Sequence, residues 1–429
     1  MMTSPGKDPK QALKVGISAN LGWGFELFDF VVYLYASTII APLFFPSNNY
    51  YVSVLETLLA LVIGYFARPF GAIFFGHFGD RLGRKRQWFL SLLLMGLATI
   101  FIGFLPTYAQ IGIMATILLV ILRMLQGFFL AGEWGGGMTF VAEVSPDNRR
   151  GLYGGIQQGG AGLGLIFAVA AYTLASFLAP GAMMETLGWR IMFWFGAIPL
   201  AIALAVRWGV DESFEWLQKG KQKAPRYPFV FLIKKYWKLV IVATLVMFGV
   251  GVIYYGSIAY MPDFLGLFVK VSPGIISTAV LITNLMWLFF SPIAGYLSDK
   301  LITRKGMLAV IFGATAILLY PIFLLLHTGV PSLIYLGGAV LGLLFSAQYS
   351  ILPAWLAENI STAVRYTYIS FVINLGVAFS SFAPFLATFF SLALGNAVLG
   401  TSTLVIVSTI VALLFVLIGP RDRVAQALE

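Results

Sequence analysis

Five ionisable residues, Glu26, Asp29, Arg68, Arg123 and Glu133, stand inside long apolar runs, where burying a charge costs several kcal/mol. A charge kept in such a place binds a proton, holds an ionic ligand or pairs with another charge. Asp29 sits about halfway along the first run and Arg123 about halfway along the fourth, so the two can meet near the middle of the apolar layer. For a carboxylate there, desolvation favours the protonated form and a nearby guanidinium the ionised form. A change of conformation can therefore load or release a proton; the bland alternative is a fixed buried ion pair. Glu26, three residues before Asp29, lies on nearly the same helical face and can share its proton. Glu133, flanked by Gly132 and Gly135 to Gly137, can bind a proton, hold a cationic group or brace Arg68. Arg68, directly before Pro69, can brace a neighbouring helix or hold an anion. The runs of the second half carry the polar Asn284, Gln348 and Asn374 but no deep charge. Proton chemistry is thus expected in the first half and ligand contacts in the second. Tyr33, Gln157, Gln158, Tyr254, Tyr255, Asn284, Trp287, Gln348 and Asn374 are the candidates for lining a cavity, since aromatic tips and buried amides seek hydrogen-bond partners.

A second set of charges recurs. Gly76-His77-Phe78-Gly79-Asp80-Arg81-Leu82-Gly83-Arg84-Lys85-Arg86 returns in degraded form as Gly295-Tyr296-Leu297-Ser298-Asp299-Lys300, followed by Arg304-Lys305. Glu143 precedes Arg150 by seven residues, and Glu358 precedes Arg365 by seven. The offsets, 219 for the Asp pair and 215 for the Glu pair, are half of a 429-residue chain. The second copy has one extra residue between Asp299 and Arg304, and Gly306 in the place of Arg86. Glycines here permit a tight turn between antiparallel helices, and Asp80 at a helix end can face helix N-termini. Arg84, Glu143 and Arg150 can form a charge network on one face, holding the halves together in one state and breaking in another. Gly76, Asp80, Arg81, Gly83, Arg84, Glu143, Arg150, Asp299, Glu358 and Arg365 are the expected gate residues. Two related membrane halves in one chain are the plan of a secondary transporter.

Composition requires the elements that hold these residues to be membrane spans. Sixty per cent of residues are hydrophobic and 10% charged, with a mean hydropathy of +0.91, far from the roughly one-quarter charged of soluble domains. Twelve runs are long enough to cross about 30 Å of hydrocarbon as helix: 17–42, 55–77, 88–105, 111–140, 153–178, 190–208, 239–261, 274–297, 307–326, 332–356, 366–390 and 397–418. The expected fold is all-α and integral to the membrane: a six-helix bundle over 1–210, a linker over 211–238 and a second bundle over 239–429. Of 27 Lys and Arg, Arg68, Arg123, Arg190 and Lys270 lie in spans or on the opposite side; the other 23 fall on the side of the termini. That side is the cytoplasm by the positive-inside rule, so both termini are expected there. The net charge of +10 is then a topology signal rather than a nucleic-acid footprint. The basic linker, with Lys219, Lys221, Lys223 and Arg226 among its charges, can lie on an anionic leaflet or act as a solvated hinge. No cysteine and two histidines, His77 and His327, leave little basis for a metal site or a thiol nucleophile. No nucleophile–base set or phosphate loop points to an enzyme.

The loop segment Gly76–Arg86 resembles the signature between the second and third helices of the major facilitator superfamily. Phe25-Glu26-Leu27-Phe28-Asp29-Phe30, Arg68-Pro69-Phe70-Gly71, Arg123-Met124-Leu125-Gln126-Gly127, Gly132-Glu133-Trp134-Gly135-Gly136 and Gly188-Trp189-Arg190 are similar to its metabolite:proton symporter branch, near the sugar porters. The resemblance implies a twelve-helix fold of two pseudo-repeats working by alternating access. It also implies an acid on the first helix paired with an arginine on the fourth, here Asp29 and Arg123. The expected function is proton-coupled import of a small polar metabolite across the plasma membrane, an organic acid first, with a sugar or zwitterion, a uniporter or exporter, or a non-transporting sensor as alternatives. Expected partners are that small molecule, protons and the lipid bilayer, with no nucleic acid and no cofactor beyond H+ as coupling ion; the chain is expected to act as a monomer.

Overall fold

The computed structural model describes residues 7–301, 303–420, 426 and 428; the expectation for Met1 and Glu429 falls outside them. Among the described residues, twelve helices are long and apolar enough to span a membrane: α1 Pro9–Phe44, α2 Val52–Leu82, α3 Arg84–Ile102, α4 Ile113–Val144, α5 Arg150–Leu178, α6 Met184–Trp208, α7 Pro228–Val269, α8 Pro273–Lys300, α9 Arg304–His327, α10 Pro331–Glu358, α11 Thr362–Ala393 and α12 Ala397–Ile418. All twelve expected runs are present. Several helices extend past the apolar stretch, because charged residues at their ends find partners within the bundle. Helix α1 starts at Pro9, with the Asp8 side chain accepting from Lys10 N, an N-cap followed by proline at the first position. Helix α7 begins at Pro228 and breaks at Tyr236, whose φ of −121° and ψ of 19° leave the helical region. The expected linker end at 238 therefore falls beside this kink, and Lys234, Lys235 and Lys238 sit exposed on helix rather than in a loop.

The packing repeats with a shift of six helices. Helix α2 packs on α4 and α8 on α10; α1 packs on α5 and α7 on α11. Across the halves, α2 lies against α11 and α5 against α8. Glycine allows both crossings to be close. A Cβ on Gly79 would run into the Tyr366 ring, and one on Gly295 into the Gly151 carbonyl. Of the loop glycines only Gly83 turns the chain, at φ 119°, a conformation that disfavours any other residue. Gly76 is helical and serves close approach to Thr367 on α11, a different reason for glycine than the expected turn.

Candidate functional site

Two adjoining cavities share two residues, Glu26 and Arg68. The first lies between the halves. Trp23, Trp134, Tyr254, Tyr255, Trp287, Phe345 and Tyr349 face it with Met247, Val250, Gly251 and Val377. Trp23 and Trp134 stack with centroids 4.7 Å apart, and Tyr349 tilts against both at 6.2 and 6.0 Å. On the other wall Trp287 meets Phe345 edge-on at 4.8 Å and Tyr254 at 5.7 Å. At Tyr254–Ile258 the α7 backbone widens by one residue per turn, Ala259 N bonding to Tyr254 O at 2.9 Å. Such bulges often mark functional positions, and this one carries two of the three cavity tyrosines, Tyr254 and Tyr255.

The second cavity lies within the first half, bounded by Glu26, Asp29, Phe30, Leu61, Gly64, Tyr65, Arg68, Arg123, Gln126, Gly127 and Leu130. Asp29 and Arg123 do meet, at 3.1 Å. Asp29 also accepts from Thr99 Oγ1 at 2.9 Å and Gln126 Nε2 at 2.7 Å. The Arg123 guanidinium sits 3.6 Å over the Tyr33 ring, and Tyr33 donates to Thr57 O at 2.8 Å; Tyr33 thus supports Arg123 and lines neither cavity. Arg68 touches Glu26 at a single 3.3 Å contact and lies 4.2 Å over Tyr65. Tyr65 in turn hydrogen-bonds Tyr255 of the other half at 3.2 Å.

Other expected residues lie elsewhere. Glu133 does not brace Arg68. It binds Arg207 through both oxygens, at 2.6 and 2.8 Å, and Arg207 lies 3.5 Å over Trp88. Arg207, counted among the loop charges by its place at the end of a span, is fully buried. Gln157, Gln158, Gln348 and Asn374 are buried and are not among the lining residues, although Gln158 meets Tyr349 of the first cavity. Asn284 donates to Val280 O of its own helix at 2.8 Å. Of the candidate lining residues, Arg68, Tyr254, Tyr255 and Trp287 are in the first cavity. Trp23 and Trp134 were missed, although Trp23 stands three residues before Glu26 and Trp134 directly follows Glu133.

At the end of the bundle carrying the repeated loops, two buried clusters join the halves. Asp80 accepts from Arg84 at 2.7 Å, from the Tyr366 and Thr367 amides at 3.1 and 3.0 Å, and from the Thr367 hydroxyl at 2.6 Å. Asp299 accepts from Arg304 and from the Gly151 and Leu152 amides, each at 2.9 Å. Each carboxylate therefore caps the opposite half's helix N-terminus, where negative charge is favoured. Glu143 holds Arg84 at 3.0 Å and Arg365 at 2.9 Å; Glu358 holds Arg304 at 2.8 Å and Arg150 at 3.2 Å. Arg150 thus belongs to the second cluster and Arg365 to the first, an exchange that spacing alone did not reveal. Arg304, quoted in the repeat but left out of the expected set, is the counterpart of Arg84. Arg81 is exposed beside His77, at 3.4 Å, and among the described residues joins neither cluster. The linker does: Ser213 donates to Glu143 at 2.5 Å and Trp216 Nε1 to Asp80 O at 2.8 Å.

Two six-helix repeats around a central cavity, with charges held at membrane depth, define a secondary transporter. The sequence model of the Major Facilitator Superfamily matches residues 28–381, and the chain belongs to that family. The inner membrane metabolite transport protein YhjE of Escherichia coli (strain K12) is 36% identical over 389 residues, 87% of each chain. A proline/betaine transporter of the same organism is 31% identical over 395 residues, 89% of this chain and 78% of that one. The solved proton:xylose symporter XylE, bound to 6-bromo-6-deoxy-D-glucose, aligns over 98% of both chains with a TM-score of 0.76 at 17% identity, a likeness of fold. The protein is a multi-pass membrane transporter and not an enzyme.

Proposed function

We propose that the chain is a proton-coupled symporter that imports a small zwitterion bearing an ammonium and a carboxylate. The observation that carries this reading is the aromatic cavity with an arginine in its wall. Faces of Trp23, Trp134, Trp287, Tyr254 and Tyr349 suit a desolvated ammonium. The buried Trp23, Trp134 and Trp287 indole nitrogens and Arg68 Nε have no hydrogen-bond partner among the described residues, and a carboxylate would provide one. Because Glu26 already opposes Arg68, the cavity offers little net positive charge to a di- or tricarboxylate. The name of the proline/betaine relative agrees with this choice. An organic acid is the second reading, favoured by the two guanidiniums, Arg68 and Arg123, that line the adjoining cavity.

In this account Asp29, beside Arg123, receives the coupling proton. The two clusters at the loop end hold that face shut, and their rupture opens it. The excess of Lys and Arg read on that side of the sequence supports its being the cytoplasmic one. The test is uptake of labelled glycine betaine and of labelled citrate into proteoliposomes under an imposed inward pH gradient. Betaine accumulation abolished by a protonophore is expected; accumulation of citrate alone would overturn the substrate class.

A further inference from the structure

Glu26 and Arg68 are the two residues common to both cavities, so their ion pair is the partition between the aromatic chamber and the Asp29–Arg123 chamber. Compared with the other ion pairs held at membrane depth in this half, Asp29–Arg123 at 3.1 Å and Glu133–Arg207, it is the longest. Glu133 and Arg207 meet at two points, 2.6 and 2.8 Å apart, whereas Glu26 and Arg68 share one contact of 3.3 Å, beyond the usual 2.7–2.9 Å of a charge-assisted bond. Both are more than nine-tenths buried, yet Glu26 Oε2 and Arg68 Nε have no hydrogen-bond partner among the described residues. The charged and titratable groups facing Glu26 are Arg68 and Tyr65 on α2, Asp29 on α1, Glu133 on α4, Tyr254 on α7 and Tyr349 on α10. Among these Arg68 is the sole cation, so whatever takes Arg68 leaves Glu26 without a counter-charge.

We infer that substrate and proton are coupled by exchange at this pair: the substrate carboxylate displaces Glu26 from Arg68, and Glu26 takes up a proton in its place. The inference rests on the proposed carboxylate-bearing substrate. In binding, one guanidinium–carboxylate pair breaks and another forms, and one hydronium in the second cavity gives its proton to Glu26. A zwitterion thus enters with one proton. On release, Glu26 loses the proton, re-pairs with Arg68 and expels the substrate carboxylate. Asp29, held by Arg123, Thr99 and Gln126, relays the proton through the second cavity without meeting the substrate. A buried carboxylate stripped of its counter-charge is costly in the ionised form, which makes the exchange obligatory in both directions.

The purified full chain tests this at equilibrium, with glycine betaine as probe, its tryptophan fluorescence reporting binding and a pH-indicator dye reporting protons. Wild-type protein should take up one proton per betaine, and its Kd should rise about tenfold per pH unit on the alkaline limb. Choline, a cation without the carboxylate, should bind with no proton uptake. Glu26→Gln should bind betaine with a pH-independent Kd and no proton uptake; Glu26→Asp should restore both linkages. Asp29→Asn should keep the proton uptake on binding while losing gradient-driven accumulation. Proton uptake surviving in Glu26→Gln, or betaine binding to wild type without any, would overturn the exchange. Binding of succinate but not betaine, with proton uptake that depends on Glu26, would overturn the zwitterion reading and uphold the exchange.

Discussion

Glu133 and Asp29 stand on opposite sides of the question of which buried carboxylate moves a proton. Glu133 is locked to Arg207 by two short bonds and touches neither cavity, so its loss is a loss of stability. Glu133→Gln leaves Arg207 as a buried, uncompensated charge, a change worth about 3–5 kcal/mol in comparable pairs. Thermal melting of the detergent-solubilised variant should drop sharply, and the double change Glu133→Leu with Arg207→Met should recover most of the drop. A pair that served coupling would instead leave the melt unchanged and abolish uphill uptake. Asp29→Asn is the converse case: the melt should be nearly preserved, substrate exchange retained, and accumulation against a gradient lost. Intramembrane charge was legible in the sequence because so few charges occur in the spans, and their cost makes each one conspicuous. Their partners were less legible. Arg207 hid at the end of a span, and the buried amides Gln157, Gln158, Gln348 and Asn374 looked like lining because helix-facing and cavity-facing positions are both apolar-surrounded in sequence.

At the scale of elements, the linker is the part that differs most from its sequence reading. Residues 212 to 216, ahead of the basic stretch, are built into the first charge cluster. The Glu212 carboxylate accepts the Arg84 and Lys85 amides at 3.1 and 3.2 Å, capping α3 across the loop. Burial pushes its carboxyl above the ordinary value of 4.5, against the amide bonds from Ser213 and Lys85, which pull it down. A raised value means the folded protein binds this proton more tightly than the unfolded chain. The resulting stability is complete below 4.5 and lost as pH rises through the raised value. Glu212→Gln keeps an acceptor but cannot ionise. Its Tm, relative to wild type, should therefore climb across that window, measured from about pH 4 to about pH 8. A Tm difference that ignored pH would contradict the assignment. The spans themselves were readable to within a few turns, since hydropathy measures the lipid that each helix crosses. Their ends were not, because residues such as Asp80 and Glu143 continue the helix beyond the apolar run once partners satisfy them.

For the whole molecule, the two-fold repeat was visible in the spacing of Asp80, Glu143 and Arg150 against Asp299, Glu358 and Arg365. The crossed pairing was not, since it arises only when the halves dock. That crossing makes the loop end a two-part clamp, Arg365 on Glu143 and Arg150 on Glu358. The chain contains no cysteine, so a single reporter is free of background. With Met247→Cys in the cavity wall, Asp80→Asn should raise labelling from the loop side several-fold and slow transport. Unchanged labelling with unchanged uptake would reduce Asp80 to a topology residue. The central claim, a neutral zwitterion moving with one proton, makes an electrical prediction. On a solid-supported membrane carrying wild-type proteoliposomes at equal pH on both sides, a jump in glycine betaine should drive positive charge inward, and the sustained component should vanish in Asp29→Asn. Betaine uptake with no charge movement, or current from a carboxylic acid and none from betaine, would contradict the account.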